Sequence, residues 1–115
     1  MRPSAPELLN ASHRLEAFSC GVPDLDDWLK RRALANQASG ASRTYAACFD
    51  GRVIAYYAIA SGAISVADAA GRFRRNMPEP IPVAVLGRLA VDASAQGLGL
   101  GRALFRDAAL RLTGA

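Results

Sequence analysis

The residues best suited to chemistry lie in Gln96-Gly97-Leu98-Gly99-Leu100-Gly101-Arg102, just after the apolar run Leu86-Gly87-Arg88-Leu89-Ala90-Val91-Asp92. The order reads as a strand, a short polar turn and a glycine-dense start to a helix. Glycines remove the Cβ atoms that would hold phosphate oxygens off the backbone, and the first N–H groups of a helix have no internal partner. The positive end of the helix dipole strengthens their pull, so the layout suits a phosphorylated ligand. The cationic side chains point the same way. Thirteen of the fourteen are arginine, whose planar fork binds two oxygens at once. They gather in Lys30-Arg31-Arg32, in Arg72 with Arg74 and Arg75, and in Arg102 with Arg106. One such cluster reads as solvated surface; three beside a phosphate-type loop indicate a polyanionic partner.

The 115 residues that must position this loop allow one domain, 1–115, with a modest core. Pro6-Glu7-Leu8-Leu9 reads as a first strand, and 13–18 as one helical turn. Asp24 is the expected N-cap of a helix with Asp26 and Asp27 in its first turn. Leu25, Trp28, Leu29 and Ala33 form its apolar stripe; Leu34 falls off it, which implies a second contacted side. Ser39-Gly40 ends that helix. A strand over 44–49, the hairpin signal Asp50-Gly51 and a return strand over 53–59 follow, with Val53, Ala55, Tyr57 and Ile59 on one face.

A basic connection over 67–76 leads to Pro78, Pro80 and Pro82, which hold the chain extended. Val83, Val85, Leu89 and Val91 mark the next strand, and Gly87 in its middle suggests a bulge or a close backbone approach. A last helix over 98–112 turns Leu104, Phe105, Ala108 and Leu112 inward, with Arg102 and Arg106 on the other side. The order β-α-β-β-β-α predicts an α+β fold: a mixed, mainly antiparallel sheet flanked by helices.

Several function classes are disfavoured. Cys20, Cys48 and the single His13 have no second ligand at zinc spacing, so no metal is expected. Both cysteines read as small buried hydrophobes. No apolar run approaches the roughly 20 residues of a membrane helix, and residues 1–6 lack the apolar stretch of a signal peptide. These readings predict a soluble cytoplasmic protein without a membrane partner.

Three nucleotide-type loops compete for the glycine motif. A P-loop requires Lys then Ser or Thr after its last glycine, and Arg102-Ala103 stand there instead. The dinucleotide fingerprint fits Gly97 and Gly99 but meets Arg102 at its third glycine, and it belongs early in a βαβ unit. The pattern Gln/Arg-x-x-Gly-x-Gly/Ala is met in full by Gln96 through Gly101. In that loop the chain resembles the GNAT acetyltransferases.

The resemblance extends over nearly the whole chain. Phe18-Ser19-Cys20-Gly21, Leu25 to Leu29, Ala33 to Asn36, Gly40 to Tyr45, Arg74 to Pro78, Ile81-Pro82 and Leu86 to Asp92 are similar to the GNAT toxins of bacterial toxin–antitoxin pairs, which acetylate the α-amine of aminoacyl-tRNA. It implies a GNAT-like sheet and acetyl-CoA as cosubstrate. Leu89, Ala90 and Val91 would run beside the pantetheine arm, with the Val91 backbone amide at the thioester carbonyl. Gln96, Gly97, Leu98, Gly99, Leu100, Gly101 and Arg102 would hold the pyrophosphate. Arg72, Arg74, Arg75 and Arg88, with Arg31 and Arg32, would guide the tRNA. A ribbon-helix-helix antitoxin and a homodimer are further implied partners.

The chain departs from that pattern after the motif helix, where the family has more strands and a tyrosine acting as general acid. Tyr45, Tyr56 and Tyr57 lie in the central hairpin and do not match that position, so no general acid is assigned. The expectation is a domain truncated after the acetyl-CoA motif helix, with the strand 83–91 left as an apolar open edge that either the rest of a longer protein or a second molecule completes. Two other readings stay open: a catalytically incomplete GNAT-like protein that binds tRNA or an antitoxin, and a GNAT enzyme acting on a small amine or a protein.

Overall fold

The computed structural model describes residues 1–64 and 81–114; the basic connection 67–76 with Arg72, Arg74 and Arg75, and also Pro78 and Pro80, lie outside the described residues. Four strands form one sheet: β1 (Glu7–Leu8), β2 (Ser42–Phe49), β3 (Arg52–Ile64) and β4 (Ile81–Val91), in the order β1-β2-β3-β4 and antiparallel throughout. Asp50 and Gly51 join β2 to β3 with φ of 54° and 73°, the left-handed pair that a two-residue hairpin requires. Residues 13–18 form no helix, only a single turn closed by Phe18 N–H on Leu15 O at 3.0 Å. Arg14 instead bridges Arg52, with its N–H bonded to Gly51 O at 2.9 Å and its carbonyl accepting Val53 N–H at 3.0 Å.

Helix α1 (Pro23–Arg31) begins one residue before Asp24. Pro23 takes the first helical place, where a missing N–H is harmless, and Val22 is the extended N-cap. Asp24 therefore lies inside the first turn, where its charge meets the helix dipole. The single helix expected up to Ser39 is two, because Arg32 at φ −120° leaves helical geometry and α2 (Ala33–Ser39) starts after it. Gly40, at φ 83°, closes α2. Gln37 ties α2 down, donating to Leu9 O at 2.7 Å and accepting from Thr44 N–H at 3.0 Å. Leu34 points away from this contact and is exposed, contrary to the second contacted side expected of it.

Both faces of the sheet are covered. Phe18, Trp28, Leu29, Val53 and Tyr56 pack on the α1–α2 side, and Ala47, Ala55, Tyr57, Leu104 and Ala108 on the α3 (Leu100–Thr113) side. Val53 and Ala55 thus lie on opposite faces, not one. Cys48 pairs Val53 while Ala47 pairs Ala55, so Ile54 is an extra residue that shifts the alternation.

Helix α3 rests on the sheet through Leu100, Leu104 and Ala108, a single i, i+4 line. Its far end is clamped. Tyr57 O–H and Arg111 Nε both donate to Asp107 Oδ2, Arg111 Nη2 donates to Pro6 O at 3.1 Å, and the Arg111 guanidinium lies 4.1 Å over the Tyr45 ring. This rotation leaves Phe105 60% and Leu112 42% exposed, against the inward placement expected of both. Among the described residues no helix is long and apolar enough to cross a membrane.

Leu104→Ala is expected to cost about 2–5 kcal/mol of stability, whereas Phe105→Ala shifts it by less than about 0.5 kcal/mol. Urea midpoints of the two variants check the rotation of α3; comparable losses would contradict it.

Candidate functional site

The site is organised by the last residues of β4. Ala58 pairs Arg88 and Ile59 pairs Leu86, which leaves Gly87 as a bulge. Beyond it, Ala90 packs on the α1 side, while Leu89 and Val91 pack against α3. Strand β4 is the outer strand of the sheet among the described residues. Val91 faces Ala55, and the next residue, Asp92, donates its N–H to Ile54 O at 2.8 Å. That bond marks Val91 as the non-hydrogen-bonded member of the ladder, so its own N–H points away from β3 to the open edge.

Asp92 fixes the turn that follows. The carboxylate is 5% exposed and accepts Ser19 N–H at 2.8 Å, Ser94 N–H at 3.0 Å and the Ser94 hydroxyl at 2.5 Å. Burial opposes its charge, but the bonds from Ser94 and Ser19 outweigh burial and hold the carboxyl below the usual range. A 3-10 turn over Ala93–Ala95 follows. Gln96 then spends its side-chain amide on Cys20 O at 3.0 Å and Val91 O at 2.9 Å. This binds the loop to the segment before α1.

The glycine loop comes next. Gly97 and Gly99 both have φ of 82°, which is strained for any residue with a Cβ. Gly99 is the N-cap of α3, which starts at Leu100, two residues later than expected. The first helical bond runs from Ala103 N–H to Gly99 O. The amides from Gly97 to Arg102 have no acceptor among the described residues, and Gly97, Leu98, Gly99 and Arg102 are exposed. A Cβ on Gly101 would sit 3.9 Å from both Leu89 and Val91, so the helix start lies directly on β4. A row of amides with no acceptor among the described residues therefore adjoins the outward-facing Val91 N–H.

On the other face of β4, Arg88 joins Arg31 and Arg32 in a cleft of about 410 Å³ that is also lined by Asp24, Asp27 and Trp28. Sequence reasoning assigned Trp28 to the core alone. It is 9% exposed and also floors this cleft, with Arg88 Cζ 4.3 Å over its ring. No local signal pairs residues 60 apart on a helix and a strand.

The tyrosines are committed elsewhere. Tyr56 O–H donates to Leu25 O at 2.6 Å and Tyr57 O–H to Asp107. Burial raises both phenols well above their ordinary value, so neither is a ready acid. Cys48 is buried and Cys20 half-buried, and burial raises both thiols. Glu7, His13 and Cys48 bring donor atoms within 4.8 Å of one another. His13 Nδ1 accepts Asn10 N–H at 3.1 Å, so its proton lies on Nε2, 2.9 Å from Glu7. A ring held in that tautomer has no lone pair left for a cation.

The sequence model of the acetyltransferase (GNAT) family matches residues 6–112. The chain belongs to that family. This GNAT chain is 54% identical over 105 residues to a tRNA-acetylating toxin of Mycobacterium tuberculosis (strain ATCC 25618 / H37Rv), covering 91% of the chain and 63% of that relative. It therefore spans less than two thirds of the relative's length. The crystal structure of AtaTR bound with AcCoA matches with TM-score 0.79 and 28% identity, over 94% of this chain and 67% of that one. AtaT complexed with acetyl-methionyl-tRNAfMet matches with TM-score 0.73 and 28% identity, over 90% of this chain and 65% of that one. The α+β architecture read from the sequence is thus the GNAT fold.

Because the folded Asp92 carboxyl titrates below its unfolded value near pH 4, its stabilisation is present above about pH 4. It is lost as the pH falls through the lower folded value. Asp92→Asn should lower the urea midpoint at pH 7 and narrow the gap between pH 7 and pH 3. An unchanged gap would show that Asp92 does not anchor the turn.

Proposed function

We propose that this chain forms the cosubstrate- and acceptor-binding part of an acetyl-CoA-dependent N-acetyltransferase that acetylates the α-amine of aminoacyl-tRNA, blocking translation as a toxin. The observation that carries this reading is the row of amides from Gly97 to Arg102, without an acceptor among the described residues, beside the Val91 N–H on the β4 edge. A pyrophosphate fits that row, since left-handed glycines clear the approach and the α3 dipole favours negative charge. Gln96 serves by holding the loop, not by reaching the phosphate. Acetyl-CoA supplies the thioester; Leu89 and Ala90 line its arm, and Val91 N–H donates to the carbonyl oxygen as charge develops there. The neutral α-amine would attack the thioester carbonyl carbon directly, with no covalent enzyme intermediate. The C–N bond forms as the C–S bond breaks, and coenzyme A leaves as the thiol once the amine's surplus proton has passed to its sulfur.

The acceptor side is the α1 face of β4. Arg31, Arg32 and Arg88 line the cleft there, and Arg72, Arg74 and Arg75, assigned from the sequence alone, are further cations proposed for the tRNA backbone. The substrate class rests on the 54% identity to the mycobacterial toxin. A ribbon-helix-helix antitoxin, a homodimer and a cytoplasmic location complete the proposal. A second reading, a tRNA- or antitoxin-binding protein without catalysis, is favoured by one observation: the Tyr56 and Tyr57 hydroxyls are both engaged away from Val91.

Calorimetry on the chain should show stoichiometric acetyl-CoA binding. Gly99→Ala should weaken it about tenfold, since a Cβ at that φ costs roughly 1–2 kcal/mol and favours loop conformations other than the cradle. Transfer of labelled acetyl from acetyl-CoA to charged tRNA tests the activity. Binding without label on any charged tRNA removes the enzyme reading and leaves the second.

A further inference from the structure

We infer that the cleft between α1 and β4 seats the terminal adenosine of the acceptor RNA, its base stacked on the Arg88 guanidinium; this takes aminoacyl-tRNA acetylation as its premise. The side chains form a layered stack. The Trp28 indole lies 6.0 Å from the Tyr56 ring and 15° from parallel to it, and Arg88 Cζ lies 4.3 Å over the indole. Tyr56 is fully buried and Arg88 is exposed. Among the described residues the Tyr56 end of the stack is covered and the Arg88 end reaches solvent. A guanidinium held over an aromatic ring offers its other side to a further π system, and unstacked RNA bases use such planes. Trp28, at 9% exposure, is too covered to take the base directly.

Charge gives the ligand a direction. Asp24 and Asp27 line the cleft from the first turns of α1, and Arg31 and Arg32 from its C-terminal end. A phosphodiester is repelled from the first pair and held by the second, so the RNA backbone leaves past Arg31 and Arg32. Reach gives the register. Arg88 precedes Val91 by three residues, roughly 10 Å along the strand. Its side chain meets α1, while the amide cradle belongs to α3 on the opposite face. An aminoacyl ester and its ribose span that distance, bringing the α-amine from the acceptor face to the Val91 edge. The two substrates then approach β4 from opposite sides.

Trp28 is the only tryptophan, so its emission reports on this cleft. The chain is titrated with the trinucleotide CCA and with the same trinucleotide carrying an abasic 3′ ribose. CCA should change Trp28 emission saturably. Arg88→Lys, which keeps the charge but loses the plane, should weaken CCA binding about tenfold. The abasic analogue should bind wild type as weakly as CCA binds the variant. With charged tRNA, Arg88→Lys should raise KM for tRNA about tenfold while kcat and KM for acetyl-CoA stay unchanged. Equal CCA affinity in wild type and variant, or equal affinity for CCA and its abasic analogue, overturns the stacked base. The expected titrations in a protein that labels no charged tRNA support the cleft and remove the proposed activity. Labelled tRNA with no dependence on the base does the reverse.

Discussion

A carboxylate taken out of water keeps its charge only if donors replace the hydration it gives up. Asp92 has three such donors, from Ser19 and Ser94, and its own N–H closes the last bond to β3 at Ile54. These bonds join four pieces of chain: β3 at Ile54, the end of β4, the 3-10 turn and the segment before α1, which Ala93 N–H holds again through Ser19 O. Gln96 repeats the connection one step later through Cys20 and Val91. The bare amides lie on one side of this knot and the Trp28 helix on the other, so their separation is set here.

Helix α3 is held at both ends by different physics. Gly101 lets its start sit against Leu89 and Val91, and Tyr57, Asp107 and Arg111 pin its last turns to the sheet and to Pro6. Burial of the Tyr57 phenol and its bond to Asp107 keep that hydroxyl protonated, a donor in the clamp at any physiological pH. Small residues make the close approach possible. Ala46, Ala47, Ala55, Ala58 and Ala90 are all buried in the sheet, which brings the helices near the backbone on both faces. A cradle of amides whose helix cannot roll or slide is preorganised for an anion.

What the sequence made legible was local. The glycine spacing from Gln96 to Gly101, the Asp50-Gly51 turn and the Gly87 bulge are each decided by a few adjacent residues, and each is seen in the structure. What it hid depends on partners far along the chain. Phe105 and Leu104 are neighbours in one apolar stretch, and only the clamp at Asp107 and Arg111 decides which faces in. The split at Arg32 and the change of face after Val53 come from packing and register, which composition does not carry. The motif places Gln96 in the cofactor loop; that its side chain also braces the loop, on Cys20 O and Val91 O, depends on segments the motif does not contain. The meeting of Arg88 with Trp28 required the order of the strands.

The bulge at Gly87 has a consequence for the protein's behaviour in a crowd. Among the described residues, the edge that frees the Val91 N–H is also a row of backbone groups without a sheet partner, a template on which a further strand could add. Val85, half exposed on that edge, makes it stickier. Gly87 interrupts the template by bending and twisting the strand between Leu86 and Arg88, and Pro82 removes a donor further back. No Cβ would be crowded at Gly87, whose nearest neighbour would be Ala58 O at 4.0 Å. The interruption of the edge therefore comes from the extra residue itself, and its being glycine is secondary.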